Sequence, residues 1–445
     1  VTTVSRRAAG LSPLEMAQDL ASKPDNDWQD LMFGPALMQN YALSVKGGGK
    51  YSTYYNSVGY TNQDGVMKGT NYQRYTLQSK QDFKKGIFQA GTNVVLTYDQ
   101  SNPLYSVIRG GMVGHTLQAI PTWEQYDENR TGGYGGLYGD VVNLTHPLGM
   151  VDDNLMKRYS DNVKIFANAY VSVELMKGLK YKLNLTPDFQ FYRYNSYEGL
   201  FDFGLAKHDI TAVTEQQPRT RNILVENLLT FDRTFGDHKV SALVGYTYQD
   251  SRYRYMQGSG QGMPTGITEI DAASQGLAVS GNSSRSVLTS ILGRAFYSYK
   301  NRYLLTATIR RDGSSKFGSN YRYGNFPSVS VGWNIAEEDF VKNSVSWLDQ
   351  LKLRGGYGVL GNQEIDNYQY VSVVTTGINY PDGKSGLIQG AFPKTFANPD
   401  IKWERTSEFN GGLDYAFFNH RLFGSIDGYY RYTKGALAPS PYPLE

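Results

Sequence analysis

Cysteine is absent from all 445 residues. That excludes disulfide scaffolds and thiolate metal sites. It fits either a cytosolic chain without metal centres or an exported one that avoids stray oxidation. Charge is scarce as well: Asp, Glu, Lys and Arg make up 19% of residues, against roughly a quarter in typical domains. The net charge of +3 is too weak and too dispersed to point to nucleic acid. No run of about 18 apolar residues occurs and the mean hydropathy is −0.46, which excludes a transmembrane helix. A membrane β-barrel stays open, because alternating strands average to a polar score. The opening VTTVSRRAAG has basic residues without an apolar stretch behind them, so no signal peptide is expected there.

Tyrosine (36) and glycine (48) are abundant, and aromatics reach 14%. Residues 169–191, AYVSVELMKGLKYKLNLTPDFQF, show how they are used. One interleaved set is Val171, Val173, Leu175, then Leu179, Tyr181, Leu183 and Leu185; the other is Ser172, Glu174, then Lys180, Lys182, Asn184 and Asp188. Successive side chains of a strand face opposite sides, so this is a hairpin turning at Lys177-Gly178, with one oily and one wet face. Six similar pairs follow the same rule, giving about fourteen strands in seven hairpins. The sixth pair is joined by a helix-like connector, AEEDFVKNSVSWLDQ. Residues 11–24 predict a short helix, with Ser12 able to cap it and Pro24 ending it. The expected organisation is a connecting segment, 1–36, leading into a barrel portion, 37–445.

Connection lengths are sorted. Six of the seven hairpin turns are short, whereas the links 99–161, 196–217, 252–282 and 361–401 are long and rich in Gly, Pro, Asn and Tyr. Alternating strands put every short turn at one end and every long loop at the other, as outer-membrane barrels do. A soluble β-sandwich is the competing arrangement, since alternation alone is generic. Strands that alternate for twelve to sixteen residues exceed the usual five or six and favour the membrane. On that reading Lys180, Lys182, Asn184 and Asp188 face a lumen. A charge placed at Leu183 or Val171 should then impair assembly, and one at Asn184 should be tolerated.

Motifs for catalysis are missing. GINYPDGKS (377–385) has five residues between its glycines where a phosphate loop needs four, and no G-x-S-x-G elbow occurs. The five histidines are scattered without metal-ligand spacing, so neither an enzyme nor a metal or cofactor site is expected. Trp123, Tyr126, Arg130, Tyr134 and Tyr138 share one Gly-rich loop and are candidate ligand contacts, since aromatic faces stack on sugars or peptide side chains; packing loop against loop is the alternative.

LKLRGGYGVLGNQ, residues 351–363, resembles a segment of the form LKLRxSYGxxGNQ that recurs in the SusC/RagA family of TonB-dependent outer-membrane transporters of Bacteroidetes. YLLTATIRRDGSSKFGSNYRYGNFPSVSVGWNIAEEDF (303–340) and NPDIKWERTSEFNGGLDYAFF (398–418) are similar to further family segments, in the same order. Gly355, Tyr357, Gly358, Gly361 and Asn362 match the pattern and are expected to be structural; Gly356 and Leu360 depart from it. The resemblance implies a 22-stranded barrel enclosing a plug domain. It also implies a SusD-like surface lipoprotein as partner and import of oligosaccharides or peptides driven through TonB, ExbB and ExbD. With about fourteen strands and no plug sequence, the chain is expected to be an internal piece of such a barrel. A passive porin-like channel and a secreted all-β adhesin or glycan-binding module are the alternatives.

Overall fold

The computed structural model describes residues 22–103, 111–136, 144–204, 206–381, 383, 386–393 and 397–438. The helix expected over 11–24 lies outside them except for its last three positions, which are not helical. Fourteen strands pair antiparallel in chain order. They are β1 (Met38–Gly48), β2 (Ser52–Asp64), β3 (Asn71–Lys85), β4 (Phe88–Asn102), β5 (Met156–Met176), β6 (Leu179–Glu198), β10 (Arg219–Phe235), β11 (His238–Gln261), β12 (Gln275–Tyr299), β13 (Tyr303–Ser314), β14 (Tyr323–Asn334), β15 (Leu348–Asn362), β18 (Glu404–Phe417) and β19 (Leu422–Lys434). All seven expected hairpins are present, and a 3₁₀ turn plus the helix Asp339–Lys342 sit in the connector of the sixth. Among the described residues, β1 and β19 each pair on one side only. No described helix is long and apolar enough to cross a membrane.

The strands run further than alternation predicts. β11 and β12 reach 24 and 25 residues, so the expected link 252–282 shrinks to 262–274. The link 99–161 shrinks in the same way to 103–155. The other two links hold strands of their own. Residues 196–217 hold β7 (Phe201–Asp202), β8 (Lys207–His208) and β9 (Ala212–Gln216), and β9 pairs with both β6 and β11. Residues 361–401 hold a hairpin of β16 (Val374–Pro381) and β17 (Leu387–Pro393). Beyond a membrane both faces of a strand meet polar surroundings, so its side chains lose the apolar alternation that marks it.

One face of the sheet carries the apolar alternates. Leu43, Val58, Leu77, Leu96 and Ile165 are successive cross-strand partners, and most of the row is exposed. Next to it Tyr41, Tyr60, Tyr75 and Tyr98 form a tyrosine row, with adjacent ring centroids 6.4, 4.9 and 6.4 Å apart. Near the short turns a second row runs His238, Tyr299, Tyr303 and Trp333, at 4.8, 6.4 and 6.5 Å. On β4 the ten-residue step from Phe88, beside its turn, to Tyr98 spans about 23 Å along the normal of a sheet tilted near 45°, the height of an outer-membrane apolar band. Two aromatic girdles therefore bracket one apolar belt.

The turns explain where glycine is required. Gly178 closes the β5–β6 turn at φ +86°, and a Cβ there would sit 2.4 Å from the Asp232 carbonyl oxygen. Gly236 closes the β10–β11 turn at φ +57° with nothing within 4 Å of a Cβ. Alanine in the left-handed region costs about 1–2 kcal/mol at either site. Only at Gly178 is the β10 backbone also pushed away. Gly178→Ala should therefore lower the denaturation midpoint of the folded protein clearly more than Gly236→Ala, with urea unfolding in lipid vesicles as the measurement.

Candidate functional site

The opposite face of the sheet is polar and largely paired with itself. At the foot of β5–β6, Lys182 stands over the Tyr170 ring at 4.3 Å, and the Tyr170 hydroxyl donates to Asp82 Oδ1 at 2.6 Å. Lys164 and Asp188 form an ion pair at 3.8 Å, and Lys180 lies opposite Glu174. Arg310 Nε donates to Asp312 at 2.7 Å and its Nη2 to Ser290 at 2.9 Å. Arg354 bridges Asp414 at 3.1 Å and Asp427 at 2.6 Å, tying β15, β18 and β19 together. Charges are thus present on this face, and many of them are neutralised in place.

Lys180, Lys182, Asn184 and Asp188 all lie on this polar face, opposite the apolar belt. Asn184 differs from the expectation for it. It is only 8% exposed; its Nδ2 donates to Glu226 Oε2 at 2.8 Å while its Oδ1 accepts from Asn168 at 2.9 Å. A charge there would break a buried polar network, so Asn184 is not a tolerant position. Ser172, half-buried between Gln89 and Lys182 and making no side-chain hydrogen bond among the described residues, is the better inward position to substitute.

The matched motif lies in β15. Tyr357 packs against Phe409 at 4.5 Å on the apolar face. Gly361 lies under the Phe326 ring, where a Cβ would come within 2.2 Å, beside a cluster of Phe317, Phe326 and Trp403. Asn362 Nδ2 donates to Glu404 at 3.3 Å and its Oδ1 accepts from the Glu364 amide at 2.9 Å, which fixes the exit of the strand. Gly355 and Gly358 have only ordinary contacts around a built Cβ, at 3.9 Å and 3.4 Å.

At the long-loop end the connections fold into a small core. It gathers Trp28, Met32, Met67, Met112, Trp123, Leu144, Met150, Phe201 and Phe203 from five segments of the chain. The helix Trp28–Met32 enters it with Asp27 capping its first amides. His146 sits at the centre, 5.1 Å from Trp28, 4.8 Å from Trp123, 5.1 Å from Tyr134 and 5.7 Å from Phe203. Its Nδ1 accepts from the Gly149 amide at 3.3 Å and its Nε2 donates to the Glu124 carbonyl at 3.1 Å, an arrangement only the neutral ring can make. Burial lowers its pKa from 6.5 to about 4.

The loop candidates separate here. Trp123 is 2% exposed and its indole N–H donates to Gly135 O at 2.8 Å, so it is core rather than ligand surface. Tyr134 is half-buried, its hydroxyl donating to Asp152 at 2.9 Å; burial, then that bond, raises its pKa. Arg130 pairs with Asp127 and Asp202 at 3.4 and 3.2 Å. Tyr126 is 63% exposed with its ring 5.5 Å from Tyr134, while Tyr138 lies outside the described residues. Sequence reasoning missed His146, Trp28 and Phe203, which meet one another and Trp123 from separate segments of the chain. No local period marks such contacts.

His146 makes the cap pH-dependent with a definite sign. Its ring is neutral when folded and charges near pH 6.5 when unfolded, so its contribution is complete above about pH 6.5. As pH falls from 6.5 to 4 the cap should lose about 3 kcal/mol, at about 1.4 kcal/mol per unit. Protease cleavage in the 111–155 loop, followed from pH 7.5 to pH 4, should rise across that window, and His146→Gln should flatten the rise.

An apolar belt between two aromatic girdles, a polar inner wall and loops sorted to one end define the wall of an antiparallel transmembrane β-barrel. By sequence the chain is a relative of the TonB-dependent receptors of the SusC kind over nearly its whole length. TonB-dependent receptor P3 of Formosa agariphila is 30% identical over 438 residues, covering 94% of this chain and 42% of that protein. TonB-dependent receptor SusC of Bacteroides thetaiotaomicron is 29% identical over 448 residues, covering 94% and 43%. The structure of the RagAB peptide transporter superposes with a TM-score of 0.83 at 24% identity, over 94% of this chain and 47% of that one. The siderophore receptor PiuA from Acinetobacter baumannii shares the fold more distantly, with a TM-score of 0.52 at 10% identity. No family model matches. The chain spans a little under half the length of the curated relatives it matches.

Proposed function

We propose that the chain is part of the barrel of an outer-membrane, TonB-dependent importer of oligosaccharides or peptides. The observation that carries this reading is the division of the same strands into a lipid-compatible outer face and a charge-paired inner face. A bundle of loops, packed around His146, covers the long-loop end. Ligand captured at that end passes along the inner wall, and no bond in it need be made or broken. Energy comes through TonB, ExbB and ExbD, and a SusD-like surface lipoprotein holds the ligand over the mouth. Tyr126 and Arg130 are the surface groups of the cap that meet it.

Uptake by cells carrying the full-length protein tests this reading. Labelled oligosaccharide or peptide should accumulate only while TonB and the proton gradient are intact. Uptake that persists without them would make the protein a passive channel. Secretion of the folded protein into the medium, with none in the outer-membrane fraction, would make it an adhesin-like module.

A further inference from the structure

The outward face breaks its apolar pattern at one height. On β10, β11 and β12 the outward side chains begin at Phe235, His238 and Tyr299 beside the short turns and continue through Leu229, Val244 and Ile291. They then change to Arg221, Arg252 and Arg285, which stand directly opposite one another across the three strands. One step further along, Arg219 faces Arg254. All five are exposed. The fourteen residues from His238 to Arg252 climb about 33 Å along the membrane normal. That places the arginines in the headgroup layer on the long-loop side.

Like charges set directly opposite repel. Asp250 offsets part of this, pairing with Arg252 at 3.1 Å and with Arg285 at 3.0 Å. Arg219, Arg221 and Arg254 have no ion pair among the described residues. Arg219 reaches only the Gln217 amide oxygen at 3.4 Å, and Arg221 lies 6.0 Å over the Phe189 ring. Five guanidinium groups against one carboxylate leave an unanswered demand for anions, in the donor geometry that suits phosphate. Below them the belt is apolar and shallow. Val244 lies opposite Gly293, with Ile291 beside it, and Ala242, Ala295 and Ala307 are direct partners in the next row down.

We propose that this patch binds a phosphate-bearing lipid of the outer leaflet. The headgroup phosphates rest on Arg219, Arg221 and Arg254, and the acyl chains lie over Gly293 and the alanine row. The proposal builds on the outer-membrane reading above. A soluble anion would have no use for the apolar strip, which is why a lipid is the occupant.

The test uses full-length protein in a zwitterionic detergent, titrated with a phosphorylated lipid A-type glycolipid and with its dephosphorylated form. The triple variant Arg219→Gln, Arg221→Gln, Arg254→Gln, which leaves both partners of Asp250 in place, should lose affinity for the phosphorylated lipid by about tenfold or more. Arg233→Gln, an outward arginine near the short turns, should stay within about twofold of the parent. The dephosphorylated lipid should bind the parent as weakly as the phosphorylated lipid binds the triple variant. Unchanged affinity in the triple variant overturns the proposal. So does complete displacement by millimolar inorganic phosphate, which would make the patch a site for a free anion. Without lipid, the triple variant should melt no lower than the parent, because repulsion has been removed; a lower Tm would show a structural role and also overturn it. Heat-modifiable gel migration of parent and variant separates these outcomes from failure of the barrel reading itself.

Discussion

Val171→Arg should cost about 2–4 kcal/mol of membrane-folded stability, while Ser172→Arg one residue further along should assemble normally. Val171 is 52% exposed on the apolar face and directly opposite Leu183, itself exposed. An arginine there must be desolvated among acyl chains or reach for an interface. Ser172 points to the other face, between Gln89 and Lys182, where water and the Glu174 carboxylate are near. Leu183→Arg should behave as Val171→Arg does. The measurement is the fraction reaching the outer membrane in heat-modifiable form. Equal behaviour of Val171→Arg and Ser172→Arg would mean that the two faces are not distinguished by lipid.

Trp123→Ala should cost about 3–5 kcal/mol, but within the loop cap rather than in the sheet. The indole fills the space between Trp28 and His146, at 5.7 and 4.8 Å, and its N–H is satisfied by Gly135. Truncation leaves a cavity in the core on which these loop segments converge. Because the cap and the strand ladder are separate packing units, they should open separately. Protease should therefore cut the 111–155 region readily in the variant, while the heat-modifiable shift of the barrel is retained. Loss of both together would show that the cap is needed for the sheet to form.

What could be read from the sequence follows the range of the physical signal. The hairpin at Lys177-Gly178 was legible because period-two alternation and a turn glycine are local, and the same logic located all seven hairpins. The upper halves of β11 and β12 were not, since polar residues on both faces carry no period. The role of Lys182 was half legible: its face followed from alternation, but its place over the Tyr170 ring did not. Asn184 misled because alternation gives direction and says nothing of partners such as Glu226 and Asn168. Trp123 looked like a ligand contact because a loop aromatic is equally suited to either task. Its contacts with Trp28 and His146 span 95 and 23 residues and exist only once the loops meet. The arginine row required the register of three strands, since each arginine alone is an ordinary polar residue near the end of a strand.

The most direct test is a cysteine scan along β5, made simple because this chain contributes no native cysteine. Single spin-labelled cysteines at each position from 163 to 175, in the protein folded in lipid bilayers, would be probed with oxygen and with a water-soluble nickel relaxant. Odd positions, Val163 through Val171 to Leu175, should favour oxygen, and even positions, Lys164 through Ser172 to Glu174, should favour the nickel reagent. Odd positions inaccessible to both reagents would mean a face sealed against protein, as in a soluble sandwich, and would contradict a lipid-facing wall.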